Sequence, residues 1–372
     1  MSCRGVLLDD GEPLPRHAFA PGAVLKLLPR LLGAGSGASS QARKRYEKQS
    51  VDSVGVEDAE AISRRKSDRE KTGTQLTLEQ QKLRTKLRLK NKDFDAWMAK
   101  LAAAFPKRCS IANPEDRGIT IAQLDAVETF VVQNSRGWVD TETHEQVSEA
   151  NFFDVKDWVI LPSTLEFDCS FVELVATHEQ PPQWFCIHWF GEPIEDFVRC
   201  VRGHRDLRGL PSYTSYWVWA FAERLNANEP AENETSFVRA LRMVDGVMLV
   251  LDPEATAFDR AWCGYELYIA LCEEPASGTN DAMRTLDIAV TVSPEYVGAP
   301  KSCSLLIDGF TKLESQCRLE LATALRSARQ SSFPLSQLQR GVMVQVHTAE
   351  ASDEPTLTRI LNRILGEPLD NM

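Results

Sequence analysis

The chain has 372 residues, is 43% hydrophobic and 26% charged, and fits an ordinary soluble protein of two domains, or of one domain with an irregular tail. Its formal net charge of −11 is unevenly spread, because residues 1–90 hold 18 Lys and Arg against 11 Asp and Glu, whereas the rest holds 24 against 42. The acidic body excludes nucleic-acid binding except through the basic head. No apolar stretch reaches the roughly 18 residues of a membrane span, so we expect none.

The nine cysteines indicate a reducing compartment. Their number is odd, several lie in apolar runs and none forms a Cys-x-x-Cys pair, as expected of buried thiols in an intracellular protein. Asp9, Asp10 and Glu12 stand where a secretory leader would be basic, although a short organelle-targeting leader stays open. The six histidines are far apart and show no metal-ligand spacing. We therefore expect a cytoplasmic protein without a metal centre.

Residues 1–73 form a basic segment of biased composition. Gly-Ala-Ser runs alternate with clusters of charge, and aromatic residues are almost absent. Such a segment cannot bury enough apolar surface to fold, so it is predicted to be a disordered tail. Gly33, Gly35 and Gly37 superficially resemble a phosphate-binding loop, but no β-branched strand precedes them and no Lys-Ser/Thr pair follows. A flexible linker is the better interpretation.

Residues 74–180 are predicted to form a helical preface to the domain that follows. Its predicted elements, read from apolar residues at three- and four-residue steps, are a helix over 76–105, continuous or broken near Asn91, a helix over 121–133 capped near Thr120, and a mixed segment over 152–174. Pro162 lies inside the mixed segment, and we expect it to break any helix there because it lacks a backbone N–H.

The character of the chain changes after the Pro-Pro pair at 181–182. Residues 184–189 are a short apolar and aromatic run suited to a buried strand, and residues 216–221 are a second. Between them, one face of a helix is marked by Ile194, Phe197, Val198 and Val201. Strand, helix and strand in this order form the crossover unit of a parallel sheet.

The alternation of strands and helices continues toward the end of the chain. Residues 246–251 (GVMLVL) are a continuous apolar run of the kind that a parallel sheet buries on both faces. The remaining predicted elements are helices over 237–243, 262–271, 313–329 and 355–365 and strands over 285–292 and 341–347. Five strands with covering helices predict an α/β domain over 181–372, a flavodoxin-like doubly wound parallel sheet.

Three stretches in this order resemble a Toll/interleukin-1 receptor (TIR) domain. Residues 185–198 (FCIHWFGEPIEDFV) are similar to the family's opening strand, Gly-Glu corner and first helix, and residues 240–252 to the entry into its central strand. Residues 259–267 (DRAWCGYEL) resemble the family's Ser-x-Trp-Cys-x-x-Glu-Leu box. The first and third stretches are also similar to a TIR-like branch found in families of unicellular eukaryotes. The chain departs from the family at His188, where a small hydroxyl residue is usual, and in the loop 223–235, which lacks an Arg-Gly turn.

The resemblance implies three functions. TIR domains commonly act as intracellular signalling modules that associate with their own kind, so homotypic self-association is the first expectation. Some TIR domains are enzymes that cleave the nicotinamide-ribose bond of NAD, and an NAD glycohydrolase is the second. The third is a nucleotide-sensing domain without turnover. No cofactor is required in any of them, and NAD would be a substrate or a ligand.

Glu266 occupies the position of the glutamate on which the enzymes of the family depend. A carboxylate suits that chemistry, because an oxocarbenium-like cation develops at the ribose carbon as nicotinamide leaves, and a nearby anion stabilises it. The alternatives are a glutamate that serves the fold and one that is exposed and incidental.

Five further residues are candidates for binding the nucleotide. Ligands of doubly wound sheets collect at the carboxyl ends of the strands, where we expect Trp189, Glu192 and Asp252 to lie. The candidates are Trp189, Glu192, Asp252, Trp262 and Tyr265. Their aromatic rings would supply flat apolar walls for a nicotinamide or adenine ring.

Three polar side chains near this edge have plainer alternatives. Glu192 is either a pocket residue or the carboxylate that the dipole of the first helix favours at its amino end. Asp252 is either a pocket residue or an ordinary strand-end turn residue. His188 is either a proton carrier or a buried, hydrogen-bonded histidine, which is more common inside an apolar strand.

Overall fold

The computed structural model describes residues 93–139, 145–225, 234–272, 285–293 and 301–334, with short pieces at 81–82, 84–85, 87–88 and 336–338. The strands are β1 (Ile119–Thr120), β2 (Trp184–Ile187), β3 (Ser215–Trp217), β4 (Gly246–Leu251), β5 (Thr285–Val292) and β6 (Ser302–Leu306). The helices are α1 (Phe94–Ala104), α2 (Ile121–Asn134), α3 (residues 152–164), α4 (Val172–Val175), α5 (Ile194–Arg208), α6 (Trp219–Ala222), α7 (Glu234–Met243), α8 (Ala261–Cys272), α9 (Lys312–Ser315) and α10 (Leu319–Ser332). The predicted tail, the break near Asn91, most of the loop 223–235, the strand 341–347 and the helix 355–365 lie outside the described residues.

Six strands form one sheet in the order β1-β3-β2-β4-β5-β6. The four inner strands are parallel, whereas β1 and β6 run antiparallel to their neighbours at the two edges. The predicted α/β fold is confirmed, but over the described strands the sheet is mixed and not wholly parallel. Neither edge strand was predicted from the sequence. Strand β1 has only two residues and shows no periodicity, and β6 is half-exposed and polar at its start.

Alternate residues of the inner strands enter two separate cores. On β2, Trp184 and Cys186 pack into the first core, which contains residues of α1, α2 and α5, whereas Phe185 and Ile187 pack into the second, which contains residues of α7 and α8. Residues 247–251 of β4 alternate in the same way, and all six residues of the strand are buried. Burial on both faces explains why these strands are continuous apolar runs in the sequence. The helical preface therefore shares a core with the sheet.

Most of the predicted elements are confirmed. Strands β4 and β5 have the predicted bounds, and α5, α7 and α8 cover their predicted segments. Helix α2 begins where expected, because the Thr120 hydroxyl accepts the N–H of Gln123, and the Gln123 side chain accepts the N–H of Thr120. Among the described residues, no helix has both the length and the apolar character needed to cross a membrane.

Two predicted elements are divided in the structure. The strand predicted over 216–221 ends at Trp217, and the chain turns into α6 because an apolar run buried on all sides has no periodicity that separates strand from helix. The helix predicted over 313–329 is interrupted between α9 and α10. The interruption lies beyond a capping box of Thr311 and Glu314, and the Glu314 carboxylate accepts hydrogen bonds from Arg329.

The expectation that Pro162 breaks any helix is wrong. Helix α3 runs through it, as an α-turn (Phe152–Val155), a π-turn (Lys156–Ile160) and a second α-turn (Leu161–Thr164). The wider π-turn gives room for the proline ring, which would clash with the preceding carbonyl in a regular α-helix. In a regular α-helix the N–H that proline lacks would pair with the carbonyl of Trp158, and here the indole Nε1–H of Trp97 donates to that carbonyl at 2.9 Å.

Candidate functional site

The strand order creates a topological switch point at one edge of the sheet, the place where a crevice is expected. From β2 the chain crosses through α5 to β3 on one side, and from β3 it crosses through α7 to β4 on the other side of β2. Where crossovers diverge in this way, the loops after the two strands move apart and leave room for a ligand. The relevant loops are residues 188–193, which follow β2, and residues 252–260, which follow β4. We call this place the switch point.

Glu192 is a buried carboxyl at the switch point. Its side chain has 0% exposure, and neither oxygen has a hydrogen-bond partner. Burial is the main cause that raises the pKa of Glu192 well above its usual range, and the nearby Cys200, Asp252 and Asp196 raise it further. Helix α5 begins after Pro193 without a side-chain cap, so Glu192 does not accept a hydrogen bond as a helix cap. The role of a hydrogen-bonding helix cap is thus not seen, and the role of a pocket residue stays a prediction.

Trp189 forms a half-buried aromatic ledge beside Glu192. The guanidinium of Arg260 lies over its ring, 4.9 Å from the ring centroid, and the ring of Phe153 meets it edge-on at 5.7 Å. Gly191 lies against the same ring, where a Cβ atom would come within 1.7 Å of a ring carbon. A glycine at 191 is therefore required for the ledge to form.

Glu266 lies on the face of α8 that is turned toward the end of β2. Three residues earlier on that helix, the thiol of Cys263 donates to the carbonyl of His188 at 3.3 Å, and the negative charge of Glu266 helps to raise the pKa of that thiol. The Glu266 side chain is partly exposed, yet burial of its carboxyl raises its pKa to about 8. Near neutral pH Glu266 is thus mostly protonated unless a positive charge approaches.

Asp252 fills the role of a strand-end turn residue. Its carboxylate accepts the N–H of Thr256 at 2.6 Å, and its carbonyl accepts the N–H of Ala255 at 2.9 Å. Ala255 has a positive φ of 54°, a conformation that this tight turn imposes. Asp252 still acts on the site at a distance, because its charge raises the pKa of both Glu192 and Cys263.

His188 is a buried histidine among aromatic rings, as one of its two predicted roles supposed. The rings of Phe152, Phe197 and Phe190 lie 4.2, 4.9 and 5.9 Å from its own. Burial lowers the pKa of His188 to about 4, so the side chain is neutral near pH 7. Its Nδ1 donates to the carbonyl of Trp189 at 3.1 Å, since a carbonyl can only accept. This histidine organises the end of β2.

Trp262 and Tyr265 pack toward α7. Their rings lie 6.3 and 5.8 Å from that of Phe237, and Tyr265 is 1% exposed in the second core. Tyr265 therefore has no free face on which a ligand ring could stack. Of the six candidate site residues, the structure brings Trp189, Glu192 and Asp252 to the switch point, turns Glu266 toward it, and places Tyr265 in the core beside Trp262.

Three residues that contribute to the switch point were not among the candidates. Arg260 and Cys263 stand inside the Trp-Cys box, so their closeness to Glu266 in the sequence was a usable signal. Phe153 comes from the preface, and no local pattern could have placed it on Trp189.

The described residues contain no group of three or more His, Cys, Asp or Glu arranged to hold a metal ion. Comparisons of the chain with protein-family models, with curated proteins and with solved structures each gave no match.

Proposed function

We propose that this chain is a TIR-like module that binds a dinucleotide with a cationic ring, of the NAD type, at the switch point. The observation that carries the proposal is Glu192, whose buried carboxyl has no partner for either oxygen. Leaving a polar group buried and unpaired costs about 1–3 kcal/mol. A ligand that brings positive charge or hydrogen-bond donors to Glu192 would remove that cost.

The strand order supports a TIR-like assignment. When β2, β3, β4 and β5 are numbered as the first to fourth strands of the domain, their order is 2-1-3-4, which agrees with the start of the flavodoxin-like order. The two motifs that resemble the family meet in space, because the Cys263 thiol of the Trp-Cys box contacts the backbone of His188 beside the Gly-Glu corner. The antiparallel β1 and β6 would be additions at the edges of that sheet.

The charge of the ligand follows from the two glutamates. Both Glu192 and Glu266 have raised pKa values because their charged forms are poorly solvated. A pyridinium ring nearby would favour the ionised carboxyls and release protons on binding. The Trp189 ring, with Arg260 over it, would contact the flat and anionic parts of such a ligand.

Titration of the full chain with NAD and with NADH tests the binding proposal, because NADH carries a neutral ring. We expect NAD to bind more tightly than NADH, and Glu192→Gln to weaken NAD binding by at least about tenfold. Glu195→Gln is the matched control, since Glu195 is exposed on the first turn of α5, three residues away. Absence of NAD binding, or equal binding by both variants, would overturn the proposal.

Free nicotinamide measured in the same samples distinguishes an enzyme from a sensor. In hydrolysis, water adds to the ribose carbon while the bond to nicotinamide breaks, and the ionised Glu266 would stabilise the cation that forms between these events. Nicotinamide release that Glu266→Ala abolishes would identify an NAD glycohydrolase. Tight binding without release, at high protein concentration and under crowding, would identify a sensor.

Self-association is the second candidate function, and exposed leucines favour it. Leu313 of α9 and Leu319, Leu321 and Leu325 of α10 are 69, 73, 53 and 38% exposed. Leu321 and Leu325 are four residues apart on α10 and therefore share one face of the helix, and contiguous exposed apolar surface marks an interaction site. Sedimentation equilibrium of the full chain should show a dimer or larger assembly that the substitution of Leu321 and Leu325 by Glu disrupts. Thr323→Glu, on the same helix, is the control, and a strict monomer at every concentration would contradict this candidate.

A further inference from the structure

Two free thiols lie in contact between α5 and the edge strand β6. The Sγ atoms of Cys200 and Cys303 are 3.4 Å apart. Cys200 is completely buried, whereas Cys303 is half-buried and lies on the strand at the edge of the described sheet. A disulfide requires a sulfur-sulfur distance of about 2 Å, so a modest rotation of both side chains separates this contact from a bond.

Contacts on both sides hold the two thiols together. One turn before Cys200, the carboxylate of Asp196 accepts a hydrogen bond from Lys301 at 2.7 Å, and Lys301 precedes Cys303 by two residues. One turn after Cys200, a Cβ atom at Gly203 would lie 3.2 Å from the side chain of Leu305. The missing side chain at Gly203 thus allows α5 to approach β6 closely. Helix and strand are in register on either side of the thiol pair.

We infer that Cys200 and Cys303 are a disulfide-forming pair, and that a low-molecular-weight disulfide such as oxidised glutathione is the oxidant. The Cys303 thiolate attacks one sulfur of glutathione disulfide, and the first glutathione leaves as a thiolate. Cys200 then loses its proton and attacks Sγ of Cys303, which expels the second glutathione. Two protein thiols are oxidised, one external disulfide is reduced to two thiols, and the two protons pass to the departing glutathione sulfurs. This inference is independent of the proposed nucleotide site.

The two cysteines have different roles in this exchange. Cys303 is the entry point because its side chain is partly exposed. The adjacent Cys303 and burial both raise the pKa of Cys200. Burial still raises it once Cys303 is a mixed disulfide, so Cys200 is the resolving thiol and reacts slowly. The mixed disulfide on Cys303 should therefore accumulate before the intramolecular bond closes. The product ties α5 to β6 and closes a loop of roughly 100 residues, which stabilises the folded state.

Peptide mapping by mass spectrometry tests the inference on the full chain. After incubation with oxidised glutathione and alkylation of the remaining thiols, we expect a peptide pair joined through Cys200 and Cys303, lighter by two hydrogens than the reduced pair. Cys200→Ala should trap one glutathionyl group on Cys303. Cys317→Ser is the control, because Cys317 is also half-buried but its thiol donates to the carbonyl of Leu313. In that variant the joined pair should form as in the unmodified chain.

Thermal unfolding provides a second measurement that does not depend on a variant folding correctly. Oxidation of the unmodified chain should raise Tm by about 5 °C, and dithiothreitol should reverse the rise. The rise should be absent in Cys303→Ser. A stable glutathionyl adduct on Cys303 without closure, a bond from Cys303 to Cys186 or to a second chain, or unreacted thiols at both positions would each overturn the inference.

Discussion

Nε2 of His204 lies 2.8 Å from Oδ2 of Asp287, and neither side chain has any exposure to solvent. The same carboxylate accepts hydrogen bonds from the guanidinium of Arg208 and from the N–H of Asp308, and Nδ1 of His204 is 3.1 Å from the Tyr216 hydroxyl. These hydrogen bonds lower the pKa of Asp287 despite its burial. One charged group thus joins α5, β3, β5 and the loop after β6 at the amino-terminal edge of the sheet.

Asp287→Asn should lower the free energy of unfolding by about 3 kcal/mol, because it leaves the Arg208 charge and the His204 ring without their anionic partner. Urea denaturation measures the loss. Asp206→Asn is the control: Asp206 bonds Arg205 on the exposed side of α5, and its removal should change stability by less than about 0.5 kcal/mol. NAD binding, measured where Asp287→Asn remains folded, should be unaffected because the switch point lies at the opposite edge. Equal stability of the two variants would show that the buried carboxylate is not a structural tie.

Glu266→Gln should stabilise the folded protein, increasingly so as pH rises. The folded-state pKa of Glu266 is raised to about 8 from 4.5, so its contribution to stability is full below about pH 4.5 and is lost as pH rises toward 8. Glutamine cannot ionise, and its advantage should reach about 1–2 kcal/mol at pH 8 after allowance for the partial exposure of the side chain. Urea denaturation at several pH values measures it. A constant difference across that range, or the same trend in Glu195→Gln, would contradict the assigned burial.

Gly191→Ala should displace the Trp189 ring from beneath Arg260. The added Cβ would overlap a ring carbon, and relief of that overlap should cost about 1–3 kcal/mol of unfolding free energy. Gly264→Ala is the control, because a Cβ on that helical glycine meets nothing within 4 Å and alanine favours helix by about 0.8–1.0 kcal/mol. Urea denaturation should therefore give changes of opposite sign. A neutral Gly191→Ala variant would mean that the ledge is not held against the backbone.

Trp97→Phe should cost about 1–3 kcal/mol, because it removes the donor to the Trp158 carbonyl and leaves that carbonyl without its side-chain partner. The cost should shrink when Pro162→Ala is also present, since alanine restores an N–H at the position that can pair with the same carbonyl. A double-mutant cycle of unfolding free energies measures this coupling. If the effects of the two substitutions simply add, the indole is not compensating for the proline.

Local signals in the sequence were sufficient for the central part of the fold. Runs such as Gly246–Leu251 are apolar throughout because both of their faces are buried, and the Thr120 cap is a short-range feature. Signals of this kind could not reveal β1 or β6, whose pairing is decided by distant neighbours. They also gave a wrong prediction for Pro162, because the Trp158 carbonyl accepts a hydrogen bond from Trp97, which is distant in the sequence.

The candidate site was predicted only in part, because local signals reveal some of its residues and distant contacts decide the rest. Trp189 and Glu192 follow a strand that could be recognised, and the rule for strand ends placed them at an edge of the sheet. Tyr265 faces the core because of the rotation of α8, which motif spacing does not specify. The absence of partners for Glu192 is a property of the packed structure alone, since it depends on everything that surrounds the carboxyl.

Strand β1 belongs to the segment that the sequence separates from the domain, yet it pairs with β3, and its neighbours fill the core beneath α5. A chain shortened to begin near residue 181 would leave the edge of β3 unpaired and one apolar face of the sheet exposed to solvent. Unpaired strand edges and exposed apolar faces are the surfaces from which aggregation starts. Heat or urea should therefore melt the preface and the sheet in one cooperative transition. Amide hydrogens of α2 and of β4 should then exchange at similar rates.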